Sequence, residues 1–399
     1  MSTGSQNHPN ATYTMHQTDP LHQTDSLHHK SHPQGLLVFK EHFDAQFLAY
    51  IQAKISSYTT FIEKESTVSE GLHYLIQFAQ GGKRIRPYLL DLTYRLCVDQ
   101  SVQSSVQSSV QHDNDARKSL GYVLELLQLF LLIHDDITDQ GTIRHDIPTY
   151  HTYLSTLYKD ESWPGISQGI IIGDIVYTWV WQDLASLHLP YEIMTQFAGL
   201  ITHVALGQML DIDYSYQNLG KQEEQIITKD MLKTATYTFI MPMLMGSQLA
   251  GVEPDIQDKI VAWAHDIGIT FQMRDDLMDL GFFPTNKTVF SDHSEGNQTY
   301  LLTRLWCQAT DNEKIFINDV RRHILTTEQS SKLISLYTKY DIIQDAIEEI
   351  NARLEVSIST CQDIFPYASQ KTIDEICDLC RYLFLTQPDK IDNLPLKKQ

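Results

Sequence analysis

Two groups of carboxylates carry most of the chemistry legible in this sequence. Asp135, Asp136 and Asp139 follow the apolar run LELLQLFLLIH, and Asp275, Asp276 and Asp279 repeat that spacing within Phe271-Gln272-Met-Arg-Asp-Asp-Leu-Met-Asp279. On a helix, positions i and i+4 share a face, so Asp135 projects with Asp139 and Asp275 with Asp279. The middle aspartate of each set is offset by about 100°. Three carboxylates at the end of an apolar helix are costly unless something offsets their charge. One such cluster is as readily a solvated helix end as a ligand site. Two equivalent clusters in one helical protein point to a shared ligand. Mg²⁺ prefers oxygen ligands and commonly bridges one or two carboxylates to phosphates, so the pair suggests a polyphosphate held through several metal ions. A third signal is basic. Gly81-Gly82-Lys83-Arg84-Ile-Arg86-Pro87 sets closely spaced cations after two glycines, a seat for a phosphate group. Alone it is weak, because cations in a turn are usually just solvated.

These residues need long helices to hold them, and the sequence supplies the pattern. From Leu36, LLVFKEHFDAQFLAYIQAKI repeats apolar residues at three- and four-residue spacing. Thr67 and Glu70 suggest a capping box ahead of LHYLIQFA, with Gly81-Gly82 ending that helix. Further helices are expected over 119–139, 165–187, 193–217, 228–250, 254–281, 312–323, 328–356 and 371–386. Strand-like alternation is scarce, and no Gly-rich nucleotide loop follows a strand. The expected architecture is a large all-α, single-domain bundle over residues 36–390. Residues 1–35 read as a disordered His/Gln-rich tail and residues 391–399 as a flexible C-terminal tail. SVQSSVQSSVQHDND (101–115) reads as a low-complexity surface loop.

Composition narrows the function classes. The chain has 399 residues, Lys+Arg 30 against Asp+Glu 50, a net charge of −20 and 42% hydrophobic residues. That balance is globular and argues against a nucleic-acid partner, which needs a basic footprint. No run approaches about 18 consecutive apolar residues, so no transmembrane segment is expected. The N-terminus lacks the pattern of a secretory signal. Five cysteines in a chain this long suit reduced thiols and a cytoplasmic location. Cys377 and Cys380 form a lone CxxC inside an apolar-periodic stretch, better explained by helix packing than by zinc.

Taken together, the GGKRxRP segment, the first DDxxD, a Lys-Thr pair and the FQ-x-x-DD-x-x-D segment resemble the trans-isoprenyl diphosphate synthase (polyprenyl synthetase) family, most of all its geranylgeranyl diphosphate synthases. All four occur in the family's order, over about residues 38–386. The resemblance implies a helical bundle around a central cavity, of isoprenoid synthase type, a homodimer, and Mg²⁺ as cofactor, three ions per active site. It implies condensation of isopentenyl diphosphate with allylic diphosphates. Lys83, Arg86 and Gln128 match the isopentenyl diphosphate site. Asp135, Asp136 and Asp139 match the first metal cluster, and Arg144 a cation gripping the allylic diphosphate. Lys233 and Thr234 match the Lys-Thr pair that meets the allylic substrate. Gln272 with Asp275, Asp276 and Asp279 match the second metal cluster, and Lys287 and Asp292 the stretch that follows it. Within this set, Asp135, Asp136, Lys233, Thr234, Gln272 and Asp275 are the residues the resemblance makes catalytic. Gly207-Gln208-x-x-Asp211 looks like a further shared segment, structural rather than catalytic.

Two positions depart from the family's pattern. His145 stands where a second arginine is usual and Asn297 where a lysine is usual, each removing a formal cation near a diphosphate. A protonated His145 would compensate in part. These losses motivate an alternative reading, a regulatory subunit of a hetero-oligomeric polyprenyl diphosphate synthase. A terpene cyclase is disfavoured by the fully acidic second cluster and by GGKRIRP. Product length is expected to be set by the side chains below the first cluster. Phe130, five positions before Asp135, and Leu131 at four resemble the twenty-carbon, geranylgeranyl type. Phe130 lies only about 7.5 Å deeper than Asp135, so neighbouring helices such as 165–187 must complete the floor.

Overall fold

Helix formation dominates the chain, as the spacing of its apolar residues requires. The computed structural model describes residues 32–64, 66–101, 110–282 and 289–384, with the backbone alone at 99–101 and 110–113. The helices are α1 Gln34–Tyr58, α2 Thr67–Phe78, α3 Ile85–Ser101, α4 Val110–Thr138, α5 Tyr150–Leu157, α6 Ser162–Ser186, α7 Tyr191–Tyr216, α8 Glu223–Asp230, α9 Met241–Leu249, α10 Pro254–Asp279, α11 Ser291–Glu295, α12 Tyr300–Gln308, α13 Asp311–Val320, α14 Thr327–Lys339, α15 Ile342–Ile364 and α16 Gln370–Phe384. A short 3₁₀ turn, Thr59–Phe61, follows α1, and a π-helical segment, Met231–Ile240, joins α8 to α9. The only strands among the described residues are β1 Ile143–Arg144 and β2 Ile147–Pro148, an antiparallel hairpin pairing Ile143 with Pro148 and Arg144 with Ile147. The all-α expectation therefore holds.

Local details differ from the sequence expectation for identifiable reasons. Ser66, not Thr67, caps α2, its hydroxyl accepting from the Ser69 N–H at 3.2 Å. Helix α4 starts at Val110, so the second half of the expected 101–115 loop is helical, while residues 102–109 lie outside the described part. The stretch 328–356 is two helices. The chain turns at Asp341, whose φ of 54° is left-handed, a conformation a short polar side chain tolerates. Helices α5 and α12 and the hairpin had no clear periodic signal. The tail over residues 1–31 and the segment 391–399 also lie outside the described residues.

Two apolar cores hold the elements. One gathers α3, α10, α12, α14, α15 and α16 around Leu92, Ile267, Leu305, Ile350 and Leu379. The other gathers α1, α2, α4, α6 and α9 around Phe47, Leu75, Val123, Val176 and Met241. Cys377 and Cys380 are buried in α16 beside Cys361, as helix packing predicts, and all five cysteines are free. The π segment is wedged between α7 and α10. Gly207 lies so close that a Cβ there would stand 2.3 Å from the Lys233 amide nitrogen, and one at Gly268 would stand 2.2 Å from the Ala235 Cβ.

One buried ion group ties the N-terminal helix to the loop after α2. Arg84, 3% exposed, donates to Asp44 and Glu125 and to the Ala79 carbonyl. Removing its guanidinium leaves Glu125 buried and unpaired. Arg84→Ala is expected to cost about 3–5 kcal/mol, read as a lower midpoint in urea unfolding; a loss under about 1 kcal/mol would contradict this role for the triad.

Candidate active site

Both aspartate clusters sit at helix C-termini. Asp135 and Asp136 fall in the last turn of α4, with Asp139 just beyond it, and Asp276 and Asp279 close α10. Neither helix has a basic residue in its last turn. The exposed carbonyls there already carry partial negative charge, so adding carboxylates is electrostatically unfavourable unless cations arrive from elsewhere.

The offset of the middle aspartates has a structural consequence. Asp136 is 4% exposed and takes a bidentate contact from Arg144, with Nε at 2.8 Å and 3.0 Å. Asp276 is 3% exposed and accepts from the Gln272 amide at 3.1 Å and the Tyr300 N–H at 3.0 Å. Burial raises the Asp136 carboxyl despite the Arg144 contact, and burial raises Asp276 well above the usual carboxylate range. Although solvent reaches Asp139, the desolvating protein around it and the Asp135 carboxylate push its carboxyl up to about 7. Asp279 accepts from the Ser291 hydroxyl at 2.7 Å and the Asp292 N–H at 3.2 Å. Asp135 and Asp275 are half-buried.

A lysine–aspartate relay runs between the clusters. Lys233 Nζ lies 2.5 Å from Asp211 and 3.9 Å from Asp135. Lys229 Nζ donates to the other Asp211 oxygen at 2.9 Å, sits 3.0 Å from Asp230, and reaches the Gln298 carbonyl at 3.3 Å, two residues before Tyr300. Asp211 is buried, which alone would raise its carboxyl. The two lysines outweigh this and hold it well below the usual range. Thr234 is half-buried beside Lys233 in the π segment. In the π segment, visible in the Met241 N–H reaching the Thr236 carbonyl, Lys233 faces Asp211 and Asp135 while Tyr237 and Thr238 both meet Arg86.

The cations of GGKRIRP divide by role. Arg84 turns inward, while Lys83 is exposed and Arg86 half-buried. Arg86 donates to the Thr238 hydroxyl at 2.9 Å and stacks over the Tyr237 ring at 4.4 Å. Its Nε is buried without a partner, as is the amide oxygen of Gln128. The hairpin turns through His145 and Asp146, both with positive φ, as a two-residue turn requires. That turn sets Arg144 on the first cluster and His145 near Gly81, where a Cβ would lie 3.9 Å from its Nδ1. Desolvation, Arg144 and Lys83 all lower the His145 imidazole, so it is neutral near pH 7. The same causes work against compensation by a protonated His145 in the unliganded chain. Asn297 donates to Asp292 at 3.3 Å and Glu295 at 3.1 Å, and accepts from Ser215 at 2.9 Å. Lys287 lies outside the described residues.

Sequence reasoning missed several groups. Tyr237 and Thr238 hold Arg86 but belong to no motif. Glu295 feels both clusters: partial desolvation, then the carboxylates of Asp139, Asp292 and Asp279, push its carboxyl up to about 8. Phe130 stacks on Tyr177 of α6, ring centroids 4.6 Å apart, and meets His134 at 4.7 Å. Tyr177 in turn meets Trp181 edge-on at 6.0 Å, and Trp181 meets Phe197 at the same distance. Leu131 packs into the α1–α4–α6 core.

The donor set suits a hard divalent cation. It is all oxygen, several of its carboxyls are raised by desolvation and by neighbouring carboxylates, and no three His, Cys, Asp or Glu side chains among the described residues already form a metal cage. Mg²⁺ retains waters and shares carboxylates with phosphate oxygens, so it needs no such cage.

Comparison with known proteins agrees with this geometry. The polyprenyl synthetase family model matches residues 65–337. The chain is 26% identical over 328 residues to a geranylgeranyl diphosphate synthase of Saccharolobus solfataricus, covering 77% of this chain and 90% of the relative. It is 26% identical to a geranylfarnesyl diphosphate synthase of Natronomonas pharaonis, covering 65% and 74%. The fold matches a geranylgeranyl pyrophosphate synthase crystal structure from Corynebacterium glutamicum, complexed with isoprenyl diphosphate and magnesium, with a TM-score of 0.74 at 24% identity, covering 88% and 99%.

The neutral His145 gives a prediction. His145→Arg is expected to tighten inorganic diphosphate binding at pH 7 by about 0.5–1.5 kcal/mol in calorimetric titration. The gain should shrink as pH falls and the imidazole takes up its own proton. An unchanged affinity, or a gain independent of pH, would contradict the assignment.

Proposed function

Because the chain belongs to the polyprenyl synthetase family, we propose that it is a Mg²⁺-dependent prenyltransferase that extends allylic diphosphates with isopentenyl diphosphate, geranylgeranyl diphosphate being its main product. The observation that carries this reading is the pair of aspartate clusters at the ends of α4 and α10, with Lys233 and Arg144 beside the first.

The allylic carbon–oxygen bond breaks when the leaving diphosphate is stabilised, because the cation left behind is delocalised. Mg²⁺, three ions per site held at the two aspartate clusters, would supply Lewis-acid neutralisation of that leaving group. Asp135, Asp139, Asp275 and Asp279 offer the direct ligands, and Asp136 and Asp276 fix the helix ends through Arg144, Gln272 and Tyr300. Arg144, Lys233 and Lys287 neutralise diphosphate oxygens, and Thr234 lies beside the reacting carbon. Lys83, Arg86 and Gln128 hold isopentenyl diphosphate. The orphan Nε of Arg86 is a donor such an anion satisfies, and Gln128 presents its NH₂ there once its amide is turned over. The isopentenyl double bond attacks the cation, a carbon–carbon bond forms, and the departed diphosphate takes the proton. The aromatic run from Phe130 to Trp181 keeps water from the cation and limits the growing tail.

The protein acts as a cytoplasmic homodimer in this reading, with no nucleic-acid partner. Helix α7 is long and apolar enough to cross a membrane by length and composition. Its exposed Leu206, Met209 and Ile212 recur at three-residue spacing, however, with Asp211 and Asp213 interspersed, and suit a contact between two copies.

Mass spectrometry of products formed from the purified chain, Mg²⁺, isopentenyl diphosphate and allylic primers tests the proposal. Asp135→Ala and Asp275→Ala are each expected to lower turnover at least about 100-fold, some 2.7 kcal/mol of transition-state stabilisation. Near-native turnover in either would overturn the two-cluster assignment. Wild-type protein that binds both diphosphates without turnover would favour the regulatory-subunit reading.

Tyr177 stands behind Phe130, so Phe130→Ala should lengthen the product and Phe130→Ala with Tyr177→Ala should lengthen it further. Unchanged product length in the double variant would show that another wall stops elongation.

A further inference from the structure

Arg321, the first residue after α13, is 7% exposed, and every hydrogen bond it makes ends on a main-chain carbonyl. Its Nε donates to Gly296 at 3.0 Å, Nη1 to Gln217 at 2.8 Å, and Nη2 to Tyr214 at 3.0 Å, Ser215 at 2.9 Å and Gly296 at 2.5 Å. A buried guanidinium without a carboxylate partner is costly, and burial and the charge of Arg322 lower it to about 10, still protonated at neutral pH. The carbonyls it meets come from two places only, the end of α7 and the loop 289–299 after α10.

Each of those places supports one side of the site. Helix α7 carries Asp211, which holds Lys233 beside the first cluster. The loop carries Ser291 and Asp292, whose O–H and N–H hold Asp279 of the second. Arg322 reinforces the joint: its N–H donates to the His293 carbonyl at 3.0 Å and its guanidinium lies 4.1 Å from the Tyr216 ring. Gly296 has φ of +85°, and a Cβ there would stand 2.5 Å from Arg322 Cγ and 3.1 Å from the Ser215 carbonyl.

We propose that Arg321 is a positioning residue that sets the second aspartate cluster against the Lys233 side of the first by clamping the loop 289–299 to the end of α7. It touches no reacting atom. The clamp serves metal and allylic diphosphate binding and leaves the isopentenyl diphosphate site, on α3 and α4, unaffected. The substrate names rest on the function proposed above.

Arg321→Gln, Arg321→Lys and Gly296→Ala test this in the full-length chain. Mn²⁺ binding in the presence of inorganic diphosphate, followed by electron paramagnetic resonance, needs no turnover. It is expected to weaken roughly tenfold in Arg321→Gln, equivalent to about 1.4 kcal/mol. Arg321→Lys should recover part of the loss, and Gly296→Ala should weaken binding in the same direction. In steady state the KM for the allylic substrate should rise while that for isopentenyl diphosphate stays within about twofold, a split that simple loss of folded protein does not produce. Unchanged Mn²⁺ binding in folded variants, or equal rises in both KM values, would overturn the proposal. Should Arg321→Gln fail to fold, Arg321→Lys and Gly296→Ala are read in the same way. A wild-type chain with no prenyl transfer whose variants still lose Mn²⁺–diphosphate binding would sink the proposed function and leave the clamp standing.

Discussion

Negative charge at the C-termini of α4 and α10 is the constraint from which the site follows. Six aspartates sit where the helix carbonyls are already negative, and neither last turn contains a cation of its own. Apart from Arg274 on α10 itself, which lies beside Asp275, the positive groups near them come from other elements. The hairpin brings Arg144, and the π segment brings Lys233. Desolvation, together with this crowding of carboxylates, raises the carboxyl of Asp139 to about 7 and that of Glu295 to about 8. Under the proposed function, a divalent cation with its polyphosphate would relieve that crowding.

The positioning elements are correspondingly rigid. The π segment lies against α7 at Gly207 and α10 at Gly268, where no larger residue fits without displacement. Asp211 fixes Lys233 and Lys229 from one carboxylate, and Lys229 passes the restraint to the Gln298 carbonyl beside the second cluster. The buried Arg84 group anchors the loop from which Lys83 and Arg86 emerge. Apolar packing builds the two cores, while buried charge sets the relative placement of the elements that carry the site.

Much of this was legible in the sequence where spacing carries the information. The i, i+4 pairing of Asp135 with Asp139 and the 100° offset of Asp136 follow from helical geometry alone, and the structure turns Asp136 inward accordingly, whereas in the second cluster both Asp276 and Asp279 are buried. The long helices were equally plain, because their apolar stripes repeat over many turns. What stayed hidden depends on tertiary contact. Nothing local distinguishes Arg84 from Lys83 and Arg86, and only the carboxylates of Asp44 and Glu125 draw it inside. Tyr237 and Thr238 gain their roles from a π register that periodicity does not reveal. The neutrality of His145 comes from desolvation, Arg144 and Lys83 together, not from its own neighbours in sequence. The break at Asp341 was masked because the apolar pattern continues through it.

The central claim is that the two aspartate clusters form one site for a single metal–diphosphate group. Crystals grown with Mn²⁺ and inorganic diphosphate, measured at the manganese absorption edge, test it directly. The account predicts anomalous peaks at both the Asp135–Asp139 and Asp275–Asp279 carboxylates, bridged by one diphosphate that also meets Lys233. Manganese confined to one cluster, or two diphosphates each bound to its own cluster, would contradict it.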